Sequence, residues 1–267
     1  LLNGQTYWID VVDTKPLGIF LVYAALEWLF GTSIFALRVA ATLMVVVTAF
    51  GVYRAKLNLG SHPSAARASG FIFIFLCSLF TFYGVSPNTE TYFVALTALA
   101  FWVLSGQASP WQSWLAGLLL GIGFVIKYVV LFDALAFAIL LVLRDTSWRT
   151  LWRQWLPMGI GMSLPFLSVL VYYAQLGALD TFLFYTFELS SRYPESSPFV
   201  AYLKSPLDFF LRFFPVTLLL GSVLIRRFSF PYKQWGLLWG VLVLVVVLLP
   251  GTFYGHYYIQ LMLPVSF

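Results

Sequence analysis

Gly236-Leu-Leu-Trp-Gly-Val-Leu-Val-Leu-Val-Val-Val-Leu-Leu249 carries no charged side chain and, apart from the Trp239 indole, no polar one. Strands of a membrane barrel alternate polar and apolar residues, so a stretch that is apolar on every face belongs to a helix. The same character runs through the chain. Of its 267 residues 61% are hydrophobic, and 15 Lys and Arg with 10 Asp and Glu make only 9% charged, where soluble domains carry roughly a quarter. A water-soluble globule is excluded. A crossing helix needs about 20 mostly apolar residues, which makes the expected class all-α, a polytopic transmembrane helical bundle.

Apolar runs bounded by polar, Gly or Pro residues predict about nine spans, at 36–53, 70–84, 90–105, 111–126, 128–143, 155–175, 207–225, 235–250 and from 257 onward. They form a single transmembrane domain over 1–267. It comprises an outer loop with an amphipathic segment (1–31), a first group of spans (36–175), an outer loop (176–206) and the last spans (207–267). The net charge of +5 does not indicate nucleic acid, because the basic residues are scattered between apolar runs instead of gathered on one solvated face. Cys77 is the one cysteine, so neither an intrachain disulfide nor a multi-cysteine metal site is available. The chain starts at Leu1 without a signal-like segment and ends at Phe267 inside an apolar run; both ends are expected to be truncated.

Lys and Arg in short loops mark the cytoplasmic side. Arg54, Lys56, Arg67, Arg144, Arg149, Arg153, Arg226, Arg227 and Lys233 fall on one side, nine of the 15 basic residues. The opposite side takes nearly all the acids: Asp10, Asp13, Glu27, Glu90, Asp180, Glu188, Glu195 and Asp208, with Asp133 nearby in its helix. Solvation alone requires no such segregation, so the noncytoplasmic face is read as the working face.

On that face Gly4-Gln-Thr-Tyr-Trp-Ile-Asp10-Val-Val-Asp13-Thr-Lys15-Pro16-Leu17-Gly18 places two carboxylates and an ammonium directly before an apolar helix. Leu29-Phe-Gly31 and Ala36-Leu-Arg38 follow. This order resembles the first outer loop of the dolichyl-phosphate-mannose protein mannosyltransferase-like family (glycosyltransferase family 39, GT-C fold), where a Gly-x-x-Tyr-x-Asp stretch leads to Lys-Pro-Pro-Leu, Leu-Phe-Gly and Ala-x-Arg. Leu17 stands where the family has its second proline. Ser86-Pro87-Asn88-Thr89-Glu90, Gly121-Ile-Gly-Phe-Val-Ile-Lys127 and Gly255-His256-Tyr257-Tyr258 resemble later family segments in the same order.

The resemblance implies a bacterial-type membrane glycosyltransferase in the plasma (inner) membrane. Such an enzyme moves a hexosyl or pentosyl group, with inversion, from a polyprenyl-phosphate donor to a glycan, lipid or protein acceptor on the noncytoplasmic face. That chemistry needs a carboxylate to take the acceptor's proton and a cation to stabilise the departing phosphate. Asp10 and Asp13 are the candidate catalytic residues, although the family's main acid lies upstream of its Lys-Pro-Pro segment and is expected before Leu1. Lys15, Glu90, Lys127 and His256 are the candidate substrate-binding residues. No cofactor or metal site is read from the sequence, and a divalent metal requirement stays open. Each candidate also has a plainer reading: Asp10 and Asp13 as solvated loop acids, Lys15 snorkelling to headgroups, Glu90 at a helix N-terminus and His256 in an aromatic belt. Two other functions remain open, a secondary transporter and a non-catalytic membrane assembly subunit. The near absence of mid-span charge disfavours the transporter.

Overall fold

The computed structural model describes residues 1–106, 109–189, 192, 198–225 and 232–267. Among them there is no strand, only an isolated bridge between Tyr7 and Val11. The helices are α1 (Leu17–Phe30), α2 (Ile34–Asn58), α3 (Pro63–Cys77), α4 (Thr89–Ser105), α5 (Pro110–Ile126), α6 (Val130–Arg144), α7 (Trp148–Gln175), α8 (Leu179–Leu183), α9 (Phe199–Arg212), α10 (Phe214–Ile225), α11 (Lys233–Leu248) and α12 (Tyr258–Ser266). The all-α class stands. Two helices, α2 and the Leu151–Gln175 part of α7, are long and apolar enough to cross a membrane; α1, α3, α4, α5 and α11 are apolar but shorter.

Several element boundaries differ from the sequence-based expectation, each for a local reason. The span expected at 70–84 starts seven residues earlier: Pro63 occupies the first turn and the His62 ring accepts from the Ser64 amide at 3.3 Å. It ends at Cys77, after which the chain turns back through Phe80–Phe82 and a left-handed Tyr83. The span expected at 207–225 is two helices, α9 and α10, interrupted at Phe213; Pro215 has no amide N–H to continue the first ladder. The 176–206 loop is helical over α8, over a wide turn at Phe184–Leu189 and from Phe199 onward, while its residues 190, 191 and 193–197, Glu195 included, lie outside the described residues, as do Arg226 and Arg227. The stretch expected to be amphipathic, α1, is apolar nearly all round, broken by Glu27 alone.

The helices pack through small residues, as helices do where burial from water is not the driving force. A Cβ on Gly117 or Gly121 of α5 would meet the carbonyl oxygens of Met158 or Met162 of α7 at 2.0 and 2.4 Å, so only glycine permits this approach. At the centre α12 is buried along most of its length, between α3, α4 and α11. An aromatic core of Phe101, Phe137, Trp235 and Trp239 joins α4, α6 and α11, with ring centroids 5.1 to 6.2 Å apart. Large apolar side chains such as Phe35, Phe71 and Phe199 are more than two-thirds exposed, the pattern of a surface that meets lipid rather than water.

The two ends of the bundle differ chemically. At one end Arg144 of α6 donates to the Leu104 and Gly106 carbonyls that close α4, and Arg54 of α2 lies 5.3 Å from the centre of the Trp102 ring. At the other end the segment before α1, the first turn of α4, the α5–α6 turn and the segment after α11 converge on one cavity.

Candidate functional site

The segment ahead of α1 is pinned by aromatic side chains. Tyr7 and Trp8 are almost fully buried. The Tyr7 hydroxyl donates to the Lys15 carbonyl and, at 3.0 Å, to that of Asp13, which also accepts from the Trp8 indole at 3.0 Å. From α7 the Tyr173 hydroxyl donates to the Tyr7 carbonyl at 2.6 Å, and Trp8 stacks on Tyr185 with centroids 5.8 Å apart. This fixes the backbone from which Lys15 projects. Gly18 then brings α1 against the end of α5, since a Cβ there would lie 2.6 Å from the Val125 carbonyl oxygen. One residue later α5 ends, and Lys127 leaves it in an extended conformation. Lys15 and Lys127 thereby reach the same cavity, which measures about 530 Å³ and falls in the size range of small-molecule sites.

Four of the residues singled out from sequence line this cavity: Lys15, Glu90, Lys127 and His256. Glu90, in the first turn of α4, is 1% exposed. Its Oε1 is paired with Lys127 Nζ, and its Oε2 is buried with no hydrogen-bond partner among the described residues. Lys127 Nζ also lies 4.1 Å from the centre of the Tyr257 ring, a cation–π contact. His256, half-buried, stacks on Tyr254 with centroids 5.6 Å apart. Burial pushes its pKa below the usual histidine value; the Glu90 carboxylate opposes this, and the Lys127 and Lys15 charges add to it. The shift favours the neutral ring, which offers one N–H donor and one acceptor nitrogen.

Asp10 and Asp13 do not line the cavity among the described residues. Asp10 turns back to accept from the Thr6 amide at 2.6 Å. Asp13 accepts from the Lys15 amide at 3.2 Å and contacts Lys15 Nζ at 3.4 Å. Its partial burial raises its pKa, but the Lys15 amide, the Lys15 charge and the Thr14 amide together hold it below the usual carboxylate value. Both acids thus build the loop that presents Lys15.

The sequence reading did not single out Arg192 or Gln260 as site residues, yet both line the cavity. Arg192 is paired with Glu188 one helical turn before it. Gln260 lies four residues after His256, and that helical spacing within an apolar run was the available signal. Asp133 is fully buried away from solvent and accepts from Trp239 and Gln260. No cluster of His, Cys, Asp and Glu suited to a metal occurs among the described residues.

The described residues form a helical bundle with one mostly apolar cavity into which cations and a buried carboxylate project. Residues 14–173 match the dolichyl-phosphate-mannose-protein mannosyltransferase family, and the chain belongs to it. It is also 26% identical, over 169 residues, to the undecaprenyl phosphate-alpha-4-amino-4-deoxy-L-arabinose arabinosyl transferase of Erwinia tasmaniensis. That alignment takes in 60% of this chain and 30% of the relative's length. No solved structure matches the chain.

Proposed function

We propose that this chain contributes the donor site of a membrane glycosyltransferase that moves a sugar from a polyprenyl phosphate to an acceptor on the noncytoplasmic face, with inversion. The observation that carries the reading is the convergence of Lys15, Lys127, Glu90 and His256, from four separate segments, on one cavity in a chain of this family. In this reading about nine crossings, the shorter apolar helices among them, form a GT-C-like bundle in the bacterial inner membrane.

The donor phosphate lies against Lys15 at the cavity mouth, with Lys127 and Arg192 adding positive charge. These cations stabilise the polyprenyl phosphate as the glycosidic bond breaks and negative charge develops on the leaving oxygen, which is where preorganised charge has most effect. Glu90 has an oxygen with no partner among the described residues; it accepts from a hydroxyl of the sugar or the acceptor, since a buried carboxylate oxygen without a partner is costly to leave so. His256, in its favoured neutral form, offers a hydrogen bond instead of a further positive charge.

The test uses the protein purified from its full natural reading frame, offered radiolabelled polyprenyl-phosphate hexoses and pentoses and, in parallel, nucleotide sugars, with cell-envelope extract as acceptor. Transfer from a lipid-linked donor supports the reading. Transfer from a nucleotide sugar alone would sink it, and ion-coupled solute uptake in proteoliposomes without transfer would favour a transporter.

A further inference from the structure

Asp133, on α6, is 0% exposed, and both of its carboxylate oxygens are engaged. Oδ1 accepts from the Trp239 indole of α11 at 2.7 Å, and Oδ2 accepts from the Gln260 side-chain amide of α12 at 2.7 Å. Gln260 is itself one of the residues lining the cavity. A carboxamide has a donor end and an acceptor end, whereas an indole only donates and an ionised carboxylate only accepts. With its NH₂ end turned to Asp133, Gln260 has its carbonyl oxygen left for the cavity. Packing alone does not call for a carboxylate here, because a buried ionisable group between membrane helices is expensive and an apolar trio would fill the same space.

We propose that Gln260 is a specificity-determining residue, presenting a hydrogen-bond acceptor to a hydroxyl or ammonium group of the bound sugar, and that Asp133 is the positioning residue that fixes which end it presents. The inference rests on reading the cavity as the lipid-linked sugar site. It adds a contact to the sugar itself and a group behind that contact which never touches the ligand.

Asp133→Asn separates positioning from packing because it keeps the shape and the hydrogen-bond count. The introduced amide accepts from Trp239 through its oxygen and offers its NH₂ to Gln260, which must then turn its carbonyl inward and its own NH₂ to the cavity. Asp133→Asn and Gln260→Leu should each raise KM for the lipid-linked sugar at least tenfold, with a smaller change in kcat and unchanged binding of the sugar-free polyprenyl phosphate. In the Gln260→Leu background, Asp133→Asn should add less than twofold, since a group that acts through Gln260 has nothing left to act through. Independent losses that multiply would overturn the coupling.

Orientation can be read without turnover by NMR of protein labelled with ¹⁵N-glutamine, the Gln260 amide being assigned by its disappearance in Gln260→Leu. Its NH₂ should resist exchange with water in the unsubstituted protein and exchange at least tenfold faster in Asp133→Asn. Equal exchange in the two would overturn the positioning role whether or not sugar is transferred. An exchange difference with no transfer by the unsubstituted protein would overturn the sugar-site reading, and the selectivity role of Gln260 with it, while upholding positioning by Asp133.

Discussion

The Lys15 side chain is 54% exposed, with its Nζ 3.4 Å from Asp13, and so can swing to an incoming anion; Lys127, 24% exposed, is held between Glu90 and the Tyr257 ring. Lys15→Ala is predicted to weaken use of the lipid-linked donor by the loss of one charge-assisted contact, about 1.5–3 kcal/mol, or roughly tenfold to a hundredfold in KM. Lys204→Ala, an exposed lysine of α9 outside the cavity, is the control; equal losses at matched expression would remove the special role of Lys15. His256 carries a second prediction. Its folded-state pKa is depressed, so the unfolded chain binds the proton more readily. The associated stability is complete above the unfolded value of about 6.5 and falls as the pH drops below it, until the folded-state value is also passed. In detergent, Tm should therefore decline less steeply from pH 7 to pH 5 in His256→Gln than in the unsubstituted protein; parallel declines would refute this. Lys15, Glu90, Lys127 and His256 were legible in the sequence because a polar residue at the edge of an apolar run is conspicuous. Gln260 was not, because an uncharged amide inside such a run reads as one more span residue until the fold sets it beside Asp133.

Helix ends, more than helix middles, decide where the site residues go. Gly18 is the clearest case: its missing Cβ lets α1 reach the Val125 carbonyl, and that approach brings Lys15 and Lys127 to one cavity. Gly18→Leu should push the two helices apart, at an overpacking cost of about 1–3 kcal/mol. Donor use should fall with it even though no cavity side chain has changed, a result to be read from KM alongside Tm. An unchanged KM with a lowered Tm would show that the α1–α5 approach is only structural. Tyr7→Phe tests the other anchor of the same loop. Losing the hydrogen bonds to the Asp13 and Lys15 carbonyls should cost about 0.5–1.5 kcal/mol each, and limited proteolysis should cut residues 8–16 sooner. Helix centres such as those of α2, α5 and α11 followed from hydropathy, whereas the early start of α3 at Pro63 and the break between α9 and α10 did not. Those two depend on which backbone amides are missing or capped, and an apolar-run reading carries no information about that.

At the scale of the whole molecule, basic residues that the positive-inside rule assigns to one side and the residues that line the cavity lie at opposite ends of the bundle. The rule counts Lys and Arg in short loops and says nothing about acids or contacts. The structure places Arg54 and Arg144 at the end away from the cavity, Arg144 satisfying the carbonyls that close α4, while Lys15, Glu90, Lys127 and His256 meet at the other. The two together predict that the cavity end is noncytoplasmic. Single cysteines introduced in a Cys77→Ala background at Val12 and Val85, both more than 40% exposed near the cavity, should react with a membrane-impermeant maleimide in intact cells. Cysteines at His62 and Thr146, exposed at the opposite end, should react only after permeabilisation. Cys77 is 1% exposed, so replacing it removes little background and its own reactivity cannot mask the pattern. The reverse labelling pattern would turn the protein over in the membrane and put the cavity in reach of cytosolic nucleotide sugars, removing the positional ground for a polyprenyl-phosphate donor along with the topology.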